Sequence, residues 1–108
     1  MKPINVGILG LGTVGGGTAK VLKKNAAEIE RRTGRQIRLF MAADKRSDLD
    51  TREMFLPETT LTDDAFAVVS HPEIDIVVEL IGGTGIAKDL ILKAMKTANM
   101  WLRQIKNY

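Results

Sequence analysis

At 108 residues, 44% hydrophobic and 27% charged, the chain is the size of one domain around one core, and it has no apolar run of the roughly 18 to 20 residues that a membrane-spanning helix needs. It has no cysteine and one histidine, His71, which excludes disulfides, thiolate metal centres, a cysteine nucleophile and a histidine metal cluster, and fits a reducing cytoplasm. The formal charge of +3 arises from lysines and arginines interrupted by Glu28 and Glu30 and not interleaved with aromatics, so a solvated basic face is expected rather than a nucleic-acid or membrane surface.

The opening "MKPINVGILG" runs into a strand pattern without a small-residue cleavage site, so no secretory leader is expected. Ile4 to Leu9 has the composition of a short strand buried on both faces of a parallel sheet. Past a glycine cluster, Val14, Thr18, Val21, Leu22, Ala26 and Ile29 recur at helical spacing opposite Lys20, Lys23, Lys24 and Glu28. That predicts one helix from about Thr13 to Arg32, stopped near Gly34. Gln36 to Ala43 reads as a second strand and "DKRSDLDTRE" as a polar loop. Thr59 to Thr62 makes a short strand, and Asp63 or Asp64 caps a small helix through Val69. Ile74 to Ile81 is a third strong strand, and Gly82, Gly83 and Thr84 form a second strand-to-helix turn. Ala87, Leu90, Ile91, Ala94, Met95 and Ala98 then line one face of a further helix. Strands alternating with helices predict an α/β fold: a Rossmann-like half, with a parallel sheet, helices on both faces, and the first strand between its neighbours.

Gly10, Gly12 and Gly15 fit G-x-G-x-x-G after a strand and at a helix start, the context that gives this pattern its meaning. Gly10 allows the tight turn, Gly12 lets backbone approach a diphosphate with no Cβ in the way, and Gly15 lets the helix lie close to the strand. Amides of the first helical turn, around Thr13 and Val14, then face the anion. Gly16 and Gly17 each weaken the helix by roughly 1 kcal/mol relative to alanine, so close packing is expected on their side. At the end of the second strand, Asp44 can accept from ribose hydroxyls, as in NAD sites, while Lys45 and Arg46 can hold a 2′-phosphate, as in NADP sites; the residues leave both open. Gly82 and Gly83 would admit the nicotinamide side close to the backbone, and Thr84 would cap the helix that follows. Glu79, ending a buried strand, reads as a hydrogen-bonded structural carboxylate rather than a catalytic base.

The segments "VGILGLGTVGGGTAKVLKKN", "RRTGRQIR", "LPETTLTDD" and "EIDIVVELIGGT" together resemble the amino-terminal nucleotide-binding domain of homoserine dehydrogenase, from Ile4 to about Met95. The resemblance implies NAD(P)-dependent interconversion of homoserine and aspartate 4-semialdehyde, in the biosynthesis of threonine, methionine and isoleucine. It further implies cofactor contacts at Leu11, Thr13 and Val14, at Asp44 to Arg46, and at Gly82 to Thr84. Gly85 and Ile86 stand where the family commonly has Glu-Pro. The family continues "NGKHVVTANK", whereas this chain reads "MKTANMWLRQIKNY". Synonymous codons for Lys96 to Tyr108, read from the third base, spell Asn-Gly-Lys-His-Val-Val-Thr-Ala-Asn-Lys-Lys-Leu. The expectation is therefore a cofactor-binding unit over residues 1–95 and a frame-shifted tail over 96–108, with the substrate domain absent. No residue is assigned a catalytic role, nucleotide binding is expected to be weak or absent, and turnover undetectable. An uncovered sheet edge favours self-association into a homo-oligomer. The rival readings are another small NAD(P)-dependent reductase, a cofactor-binding regulatory module, and a nucleic-acid binder whose affinity would fall steeply with salt.

Overall fold

The structure, a computed structural model, describes residues 2–46 and 48–81. The apolar segment Ile4–Leu9 forms strand β1, whose last four residues are buried. It lies inside a parallel sheet, hydrogen-bonded on one side to β2 (Ile37–Ala43) and on the other to β4 (Ile76–Glu79). The short strand β3 (Thr60–Thr62) adds to the outer side of β2, giving the order β3-β2-β1-β4. The interior position expected for the first strand is therefore the observed one.

Alternation along these strands sorts the core into two layers. Val6 and Ile8 of β1 join Leu39, Ala42 and Val78 on one face, where Leu11, Ala19 and Met54 complete the cluster. Leu9, Ala43 and Val77 point to the other face and meet Val68, Val69 and Ile74. The first layer is covered by helix α1 (Thr13–Lys24) and the second by α3 (Ala65–Val69). Leu39 and Ala42 share a face although three positions apart, because the register slips between Val6 and Gly7: Val6 pairs with Leu39 and Gly7 with Met41, which leaves Phe40 over as a bulge. Phe40 turns to the second layer and meets the His71 ring edge-on, with centroids 4.9 Å apart.

Gly7 has a role that its sequence context did not reveal. A Cβ there would stand 2.6 Å from Cγ1 of Val68 and 3.2 Å from Cδ1 of Ile74, so only glycine lets α3 settle this close to β1.

The single helix expected from Thr13 to Arg32 is instead two, α1 and α2 (Ala26–Thr33), broken at Asn25. The Asn25 side-chain amide donates to the Val21 carbonyl at 2.9 Å, beside its own backbone N–H at 3.0 Å, while its carbonyl accepts from Ile29. Asparagine competes in this way for backbone groups that a continuing helix would use. Gly34 ends α2 at φ 74°, its N–H bonded to the Glu30 carbonyl, as its composition promised. Asp64, not Asp63, caps α3, accepting from the Phe66 amide at 2.9 Å. The last described strand spans only Ile76–Glu79 rather than Ile74–Ile81: its register with β1 runs from Val6 to Leu9, flanked by single bonds from Asp75 N–H to the Asn5 carbonyl and from Leu80 N–H to the Leu9 carbonyl. The turn at Gly82–Thr84, Gly85 and Ile86, the helix drawn from Ala87 to Ala98 and the tail at 96–108 lie outside the described residues.

Candidate functional site

Strands of a parallel sheet carry their loops to one common end, and here β1, β2 and β4 end together. Gly10 leaves β1 at φ 91°, a conformation that side chains disfavour, with its N–H on the Ala43 carbonyl at 2.8 Å. A Cβ on it would stand 3.1 Å from the backbone of Ile81. A Cβ on Gly15 would overlap the Gly10 carbonyl, so α1 approaches the loop more closely than any other residue permits. Gly12 differs from both. It precedes α1 with φ −65°, ordinary for any residue, and no described atom lies within 4 Å of where its Cβ would be. Nothing described in the protein requires glycine there, and the bare backbone faces open space. The first α1 carbonyl contact is Gly16 N–H to Gly12 O at 2.7 Å, and among the described residues no side-chain hydrogen bond caps the start of α1. Of the two further glycines, Gly16 does pack closely, 3.2 Å from Met54 Sδ, whereas Gly17 meets nothing within 4 Å and has no packing role among the described residues.

The open space beside Gly12 is part of a cavity of about 380 Å³, within the span of small-molecule sites. The structure brings Gly10, Gly12, Asp44, Lys45 and Arg46 together along its wall. Gly15 sits beneath the loop in contact with Gly10. Leu11 does not line the cavity: its side chain is buried in the first core layer and its N–H donates to Asp44 Oδ2 at 2.8 Å. Thr13 and Val14 open α1 outside the lining, Val14 being 38% exposed. Gly82, Gly83 and Thr84 fall outside the described residues. Asp63, Ala65, Leu80 and Ile81, which also line the cavity, were not among the expected site residues. The signal for them was topological: the segments after β3 and β4 reach the same sheet end as the glycine loop. Glu79 lies just below, 2% exposed, with Oε1 accepting from the Ile81 N–H at 2.8 Å, a carboxylate that shapes the turn out of β4.

Asp44 is the electrostatic centre of the wall. Its side chain is 9% exposed and ties the end of β2 to the glycine loop through Leu11. Arg46 pairs with it through Nε to Oδ1 and Nη2 to Oδ2, each at 3.0 Å, and its amide donates to Oδ1 at 2.9 Å. The Arg46 guanidinium, foremost, together with the Arg46 and Leu11 amides, holds the Asp44 carboxyl well below the usual carboxylate range, against the opposing effect of burial. A depressed carboxylate pKa contributes stability that is complete above the unfolded value, near 4, and is lost as pH falls through the folded value. Asp44→Asn is thus expected to cost about 1–2 kcal/mol at pH 7, the lower figure reflecting the solvent around Arg46. Urea unfolding of both proteins from pH 7 down to pH ~2 checks this, since the gap between them should begin to narrow below pH ~4 and shrink further as the pH falls.

A family model described as homoserine dehydrogenase, NAD binding domain, matches residues 10–100. Homoserine dehydrogenase of Methylobacillus glycogenes is 56% identical over 96 residues, which cover 89% of this chain and 23% of that protein. The Neisseria gonorrhoeae homoserine dehydrogenase is 51% identical over 96 residues, 89% of this chain and 22% of its own length. Among solved structures, a homoserine dehydrogenase from Thiobacillus denitrificans superposes with a TM-score of 0.77 at 48% identity, covering 96% of this chain and 23% of that one. The S. aureus enzyme at pH 8.5 gives a TM-score of 0.80 at 26% identity, over 96% of this chain and 26% of that one. The chain thus spans about a quarter of the length of the proteins it matches.

Proposed function

The chain belongs to the homoserine dehydrogenase family, matching its NAD-binding domain, and from that premise we propose that the cavity beside the glycine loop seats the adenosine–diphosphate half of NAD(P). The observation that carries this reading is Gly12. Its missing Cβ leaves uncapped amides at the start of α1 open to an anion, and no described contact within the chain accounts for a glycine there. The protein's own residues fit the group: Gly10 to Gly12 would take the diphosphate, and Asp44 to Arg46 the adenosine ribose. The cofactor, when bound, supplies the hydride in NAD(P)-dependent interconversion of homoserine and aspartate 4-semialdehyde. That reaction we assign to a longer protein of which this domain is the cofactor half. The described residues orient the cofactor, and none of them is assigned a proton-transfer role.

We place the protein in a reducing cytoplasm, binding neither nucleic acid nor membrane. Among the described residues, the outer edges of β3 and β4 pair with no further strand and, with exposed Val14, Val21 and Phe66, favour association of copies. The test is an amide-resolved NMR titration of the chain with ADP-ribose and with nicotinamide mononucleotide. ADP-ribose is expected to shift the Gly12, Thr13 and Val14 amides, whereas nicotinamide mononucleotide is not. Homoserine with either dinucleotide should give no turnover. A folded chain that shows no shift with ADP-ribose overturns the reading.

A further inference from the structure

We infer that Glu79, which does not line the cavity, is a positioning residue for the diphosphate seat: through the Ile81 backbone it sets where Gly10, and with it the start of α1, stands. This rests on the reading that the cavity holds the adenosine–diphosphate half of the cofactor. Among the described residues Glu79 is the one charged side chain that is buried. It follows Val77 by two positions and pairs in register with Leu9, so it stands at the end of the second core layer. A carboxyl group in such a place costs free energy that an aliphatic side chain of similar size would not. What it does there is turn back on its own strand, with Oε1 accepting from the Ile81 N–H at 2.8 Å.

That bond and the one from the Leu80 N–H to the Leu9 carbonyl, also at 2.8 Å, fix the exit of β4 at successive residues. The exit then crosses Gly10 closely: a Cβ on Gly10 would stand 3.1 Å from both N and Cα of Ile81. On its other side Gly10 is tied to the Ala43 carbonyl at 2.8 Å. Gly10 therefore sits in a slot between the ends of β2 and β4, and Glu79 holds one jaw of that slot. The Gly10 carbonyl in turn is what Gly15 rests against, so the stance of α1 follows from it. Leu80 and Ile81 line the cavity together with Gly10 and Gly12. Binding geometries tolerate displacements of about 0.5 Å, so a loosened exit weakens the seat although the carboxyl group never meets the ligand.

Titration of the full chain with ADP-ribose, read at the Gly10, Gly12 and Ile81 amides by NMR, tests this in Glu79→Leu, Glu79→Gln and Ile37→Ala. Glu79→Leu keeps the buried volume and has no acceptor. It should stay folded and bind ADP-ribose about fivefold or more weakly, its Gly10 and Ile81 amides displaced before any ligand is added. Glu79→Gln keeps an oxygen for the Ile81 N–H and should restore most of the affinity. Ile37 pairs with Ile4 at the opposite end of the sheet, so Ile37→Ala should lower the urea midpoint and leave the affinity unchanged. Should Glu79→Leu not fold, Glu79→Asp, whose carboxyl group is one methylene short of the Ile81 N–H, takes its place with the same expectation. A folded variant without the acceptor that binds like the unaltered chain overturns the inference and leaves the cavity reading intact. So does a Glu79→Gln as weak as Glu79→Leu, or an equal loss of affinity in Ile37→Ala. If the unaltered chain, with a dispersed spectrum, shows no shift with ADP-ribose, the cavity reading falls and the inference with it.

Discussion

Gly15→Ala should cost the domain about 3 kcal/mol or more, a large share of the 5–15 kcal/mol that separates a typical folded domain from its unfolded chain. The added methyl would overlap the Gly10 carbonyl, which is backbone and cannot rotate away. Relief requires α1 to lift from the loop, and α1 carries Ala19 into the first core layer beside Val6 and Ile8. The same movement would disturb Gly10, whose amide holds Ala43 across the sheet. The control is Gly17→Ala, two residues further along the same helix. Its methyl meets no described neighbour within 4 Å, so the better helix former should stabilise the protein by up to about 1 kcal/mol. Urea unfolding followed by circular dichroism measures both. Similar midpoints for the two variants would show that α1 does not rest on the loop as described.

Gly12→Val separates binding from stability in the opposite sense. Its φ of −65° suits any residue, and the space around the new side chain is empty of described atoms. The fold should therefore lose less than about 1 kcal/mol, the scale of a helix-cap change. The side chain would instead occupy the space in which the diphosphate meets the bare amides. Affinity for NADPH should fall about tenfold or more, as expected when charge-assisted contacts to backbone N–H groups are blocked. Thermal melting and titration of the same preparation read the two effects separately. Undiminished affinity in a stable variant would remove Gly12 from the site.

What could be read from the residues was whatever repeats along the chain. β1, the glycine spacing, the apolar β4 and the left-handed stop at Gly34 are local in sequence, and each has a physical requirement that few residue types meet. The tasks given to Gly10 and Gly15 match what their neighbours show, because close approach and positive φ select glycine directly. The break at Asn25 escaped notice because the apolar periodicity continues through it, and only the side-chain bond to Val21 reveals the interruption. Gly7 escaped because its reason is Val68, distant in sequence. At Asp44 the structure adds hydrogen bonds to Leu11, 33 positions away, and to Arg46. Composition could name those groups but not say which acceptors were already engaged.

The surplus residue in β2 has a consequence for the protein's tolerance of change. Upstream of Phe40 the strand is aligned by Ile37 to Leu39 against Ile4 to Val6, while downstream it is aligned by Met41 to Ala43 against Gly7 to Leu9. The two halves answer to separate constraints, as two rulers laid end to end with slack at the joint. A shift imposed from the α2 side can be taken up at Phe40, and Asp44 keeps its place over the loop at the far end.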